Sequence, residues 1–106
     1  MRRVAANIII KDATTRLINH VIELENGVIV NDHPLQVERE AVEWIGGMIV
    51  CSPSNKIDNF TNLRISEFID KNVNRIYSGN SYAWHIYGLD ITSDSIITER
   101  NISLLK

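Results

Sequence analysis

The stretch "LINHVIELENGVIVNDHP", Leu17 to Pro34, limits what this chain can fold into more than any other segment. Two β-prone runs flank Asn26-Gly27, a dipeptide that tolerates the positive φ angles of a type I′ turn. The pattern predicts a hairpin with strands over 18–25 and 28–33, stopped by Pro34. The rest of the first half agrees with it. "VAANIII", Val4 to Ile10, reads as a strand followed by the polar loop "KDATTR". "MIVCS", Met48 to Ser52, reads as another strand, with Gly46-Gly47 marking a turn or bulge before it. Glu43, Trp44 and Ile45 form a short strand of their own.

The period changes after the loop "PSNKIDN". Ile65, Phe68, Ile69, Val73 and Ile76 recur at helical spacings, which predicts one amphipathic helix near residues 61–74. Thr61 or Asn59 is positioned to cap it. Alternation returns in "SYAWHIYGLDI": Tyr82, Trp84 and Ile86 point to the core, and His85 and Tyr87 point away as a possible contact surface. "SIITERNISLL" fits a strand or a short helix equally well. The sum is a single domain over residues 1–106, mostly β or α+β, as a small β-sandwich or half-barrel with one helix.

Charge and composition exclude several classes. Thirteen acidic against eleven basic side chains leave a net charge of −2, and the only adjacent basic pair is Arg2-Arg3. Nucleic-acid binding needs clustered Lys and Arg and is not expected. No segment approaches the roughly 20 apolar residues of a membrane span. The N-terminal run "MRRVAANIIIKD" is broken by Asn7 and Lys11 and lacks a cleavage-site pattern, so the expected location is cytoplasmic. Cys51 is the single cysteine and sits in an apolar run, where a thiol acts as a small core residue.

A search for chemistry yields little. A strict two-residue hairpin loop sets His20 opposite His33, with Cβ atoms about 4.5–5.5 Å apart. Two such imidazoles are weak candidates for a metal site, because structural zinc takes four ligands and nothing in the spacing supplies the others. No serine lies in a nucleophile elbow, and Gly46-Gly47 lacks the further glycines of a phosphate loop. No catalytic residue and no cofactor is assigned.

The order of signals does resemble a known family. "LINHVIELENGVIVNDHPL" is similar to the N-terminal hairpin of metal-dependent amidohydrolases, and "EAVEWIGGMIVCSP" resembles the run that leads into their barrel. "HIYGLDITSDSIITERNISLL" is loosely similar to their returning C-terminal strands. In that superfamily these segments build a composite β-domain beside a catalytic (β/α)₈ barrel. Here the positions of the His-x-His metal motif read Cys51-Ser52-Pro53-Ser54, and a barrel of about 250 residues has no room. The resemblance thus implies a composite-type domain without its barrel, with the helix lying across the sheet face a barrel would cover. Its expected role is that of a non-catalytic oligomerisation or protein-interaction module, a homodimer through open sheet edges. A small-molecule or metal-binding domain, or an accessory subunit of a separate hydrolase, is the alternative.

Overall fold

The computed structural model describes residues 1–35, 41–57, 62–76 and 80–106. The Asn26-Gly27 hairpin is present: both residues have positive φ, 53° and 80°, as a type I′ turn requires. It joins β2 (Thr15–Glu25) to β3 (Val28–Pro34), and β2 pairs in turn with β1 (Arg2–Asp12). The expected polar loop after β1 is itself a tight turn, in which Asp12 Oδ1 accepts the Thr14 N–H at 3.0 Å. On its other side β1 runs parallel to β4 (Glu43–Trp44) and β5 (Met48–Ser52). Antiparallel β7 (Tyr82–Ile86) and β9 (Ile102–Leu104) complete the mixed sheet, in the order β3-β2-β1-β5-β7-β9.

The sheet is curled, and its cause can be located. Asn7 and Ile8 both donate their N–H to the Gly47 carbonyl, at 3.1 and 3.3 Å, and Asn19 opposite adopts φ 52°. At this bulge the alternation inverts: Val4 and Ala6 share a core cluster with Ile9, whereas Ile8 and Ile10 pack on the opposite face. Bulges of this kind add twist and bend a strand. The curl brings the start of β3 back against β7, where Ser81 O accepts the Ile29 N–H at 2.8 Å. The result is the half-barrel form of the expected β-rich class.

Gly47 is fixed by close approach. A Cβ there would stand 2.3 Å from the Ile86 carbonyl, and its φ is +65°. No other residue meets both conditions.

Two cores follow, one on each face. The concave one draws on every long strand and includes the small residues Ala6, Cys51 and Ala83. The convex one holds Met48, Val50 and Ile86 beneath α1 (Ile65–Asn72), whose Ile65 and Phe68 are 5% and 0% exposed. The helix therefore does cover one sheet face. It is shorter than predicted. Val73 turns to extended backbone (ψ 151°), so Ile76 leaves the apolar stripe and is exposed. The proposed caps Asn59 and Thr61 lie outside the described residues. Instead Asp94 accepts the Ser66 N–H at 3.0 Å, Ser95 O accepts that of Ile65, and Glu67 accepts that of Arg64. The ambiguous C-terminal segment contains both structures: β8 (Ile96–Ile97), which pairs with β6 (Leu63–Arg64), then a 3₁₀ turn at Glu99–Asn101, then β9.

Candidate functional site

The two histidines of the hairpin do not meet. Glu25 pairs with Val28 and Leu24 with Ile29, as a two-residue loop dictates. The next pair is Glu23 with Asn31, because Val30 is inserted as a bulge. Every later pair slips by one residue, so His20 stands opposite Pro34 and His33 opposite Val21. The slip places Asp32, rather than His33, beside His20.

Each histidine joins a separate polar network. His20 Nε2 lies 2.7 Å from Asp32 Oδ1, and Lys11 Nζ lies 2.9 Å from Asp32 Oδ2. Burial alone would raise the Asp32 pKa, but the hydrogen bonds from Lys11 and His20 outweigh it and hold the carboxyl below its ordinary value. In the second network Arg3 Nε donates to Glu23 at 2.7 Å and Asn31 Nδ2 donates to its other oxygen at 3.0 Å. These bonds, the Arg3 one foremost, lower the Glu23 pKa. His33 Nε2 stands 3.9 Å from the same carboxylate. The arrangement ties β1, β2 and β3 together. Among the described residues no group of three His, Cys, Asp or Glu side chains is placed to hold a metal ion.

Cys51 is 1% exposed, and burial foremost pushes its thiol up to about 12. A thiol so placed is not a nucleophile at neutral pH.

His85 is not an outward contact. β7 is covered on both faces, so alternation there separates two cores rather than core from solvent. His85 is 9% exposed, its Nε2 lies 3.1 Å from the Gly46 carbonyl, and burial lowers its pKa despite that bond. Tyr87 is exposed and stacks on the His85 ring at 4.9 Å between centroids. Trp44, across Gly46 from Asn7, is also exposed.

The two ends of the sheet differ sharply. On β3 the Ile29 N–H is taken by Ser81, Val30 is bulged, and Pro34 has no N–H to offer. On β9 the bonds Leu105 N–H to Ala83 O and Tyr87 N–H to Asn101 O, both 2.9 Å, fix the ladder phase. Antiparallel ladders alternate, so Ser103 faces β7 while the N–H and C=O of Ile102 and Leu104 point outward. Among the described residues nothing pairs with those outward groups. Close by, the hairpin tip and Leu104–Lys106 border an open cleft of about 800 Å³, floored by Leu24, Tyr82 and Leu105. Sequence reading foresaw open edges but not which one; the phase of β9 depends on residues twenty positions away.

Among the described residues no helix is long and apolar enough to cross a membrane. Comparison with known protein families, with curated proteins and with solved structures gives no match to this chain.

Proposed function

We propose that this chain is a non-catalytic interaction module that associates with a second copy of itself. The observation that carries the reading is the bare edge of β9 beside a guarded β3. Proteins that must stay monomeric protect edges with bulges, prolines and charges. Among the described residues the bulge and the proline stand at one end of the sheet only. Catalysis is disfavoured because Lys11 and Asp32 by the concave core are consumed in one ion pair, Arg3 and Glu23 on the other face in a second, and its one thiol is buried. On the resemblance to an amidohydrolase composite domain, α1 would take the sheet face that a barrel otherwise covers.

Light scattering across a wide concentration range tests the reading. The expected mass is twice the 12.1 kDa of one chain, unchanged by zinc or a chelator. A mass of one chain at every concentration would overturn it.

The cleft favours a second reading, a small-molecule binding domain. Its volume falls in the range of ligand pockets, and its lining mixes Leu24 and Leu105 with Asn26, Asn55 and Tyr82. A ligand seated there raises the melting temperature in proportion to its preference for the folded state. Variants of Tyr82 would abolish that rise.

A further inference from the structure

We infer that two copies join β9 to β9 in antiparallel register, with Ser103 on the two-fold axis and Ile102 of each copy opposite Leu104 of the other. The inference rests on the self-association read above and names its surface and register.

The outward groups dictate the axis. An isologous contact must pair one edge with itself. Centring on Ser103 sets the outward groups of Ile102 against those of Leu104 twice over, and each pair exchanges both N–H···O bonds. Centring on Ile102 leaves one such pair and drives Leu104 against the 3₁₀ turn. Centring on Leu104 requires the Lys106 carbonyl, which already accepts from Arg2 Nη1 at 3.1 Å. Only the Ser103 axis uses every outward group and disturbs nothing.

The side chains agree with that register. Ile102 packs against the convex core, and Leu104 pairs with Trp84, which packs there too. Both are only partly buried. In the paired sheet they would meet their counterparts across the axis and close the exposed end of that core. Ser103 would face Ser103 of the second copy as a non-hydrogen-bonded pair, the closest spacing in an antiparallel ladder, about 4.5 Å between Cα atoms. A small side chain suits that position. The rival edges are weaker: β3 is guarded, and β4 has two residues before the Gly46-Gly47 kink.

Cysteine crosslinking of the full chain tests the register. Cys51 is buried and does not compete under native conditions. On mild oxidation Ser103→Cys should form a disulfide dimer nearly completely, while Val30→Cys on the β3 edge should not. Ser103→Lys sets like charges face to face and should weaken association about tenfold or more, with an unchanged circular dichroism spectrum. If wild type is dimeric but Ser103→Cys does not crosslink and Ser103→Lys stays dimeric, self-association stands and the β9 register falls. If wild type is monomeric throughout, both fall.

Discussion

The β1–β2–β3 limb and the β5–β7–β9 limb belong to one sheet but are held by different physics. The first has strands of up to eleven residues, tight turns and two ionic networks at its margin. The second has strands of three to five residues and depends on α1 and Ile97 for its convex core. The first limb's edge is closed by the Val30 bulge and Pro34, with Ser81 of the second limb taking the Ile29 N–H. The second limb ends at β9, whose outward hydrogen-bonding groups are unused among the described residues. The difference predicts that the limbs respond to different perturbations.

The largest effect should come from Phe68→Ala, which empties the centre of the convex core. A fully buried Phe of this kind costs about 3–5 kcal/mol on truncation. Hydrogen exchange should show lost protection in β5 and β7 before β2. Equal loss in both limbs would mean that they are one cooperative unit, and the comparison would break.

Gly47→Ala should cost about 2–4 kcal/mol, combining a left-handed backbone with overpacking against the Ile86 carbonyl. Gly47 also receives the Asn7 and Ile8 N–H groups, so it sits at the junction of the limbs. Chemical denaturation would measure the loss. A wild-type midpoint would show that the strand can shift without loss of packing.

How far the sequence disclosed this arrangement depends on the range of the signal. Asn26-Gly27 and the strands beside it were legible because turn and alternation are local properties. The bulge at Val30 was not, since no local residue type marks it, and one inserted residue sufficed to part His20 from His33. His85 was misplaced for a related reason. Alternation shows which residues share a face, but not that both faces of β7 are covered. Ile76 kept the helical period in sequence, yet the chain leaves the helix at Val73.

Breaking the ionic margin of the first limb should cost less. Glu23→Gln or Asp32→Asn removes a charge-assisted partner, worth about 1–2 kcal/mol. Acid should act in the same direction. Glu23, Asp32 and His85 all titrate lower in the folded protein than their ordinary values of 4.5, 3.8 and 6.5. The unfolded chain therefore binds more protons as pH falls, and stability falls with it. The His85 share is complete above 6.5 and fades as pH drops through its lower folded value; the carboxylate shares follow below 4.5. Melting temperatures from pH 8 to pH 3 should decline in these two stages. In Glu23→Gln and Asp32→Asn the lower stage should shrink and the upper one persist.

The smallest effect sharpens the comparison most. Val30 is 48% exposed on the bulge of the guarded edge, and its substitution by Lys should change stability by no more than about 0.5 kcal/mol. It should also leave the solution mass untouched. The same charge placed at Ser103 should halve that mass, although both residues sit on terminal strands of one sheet. A bulged strand offers an incoming chain no continuous ladder, so a lysine there guards what is already closed. If Val30→Lys dissociates the protein instead, the guarded and bare edges have been assigned the wrong way round.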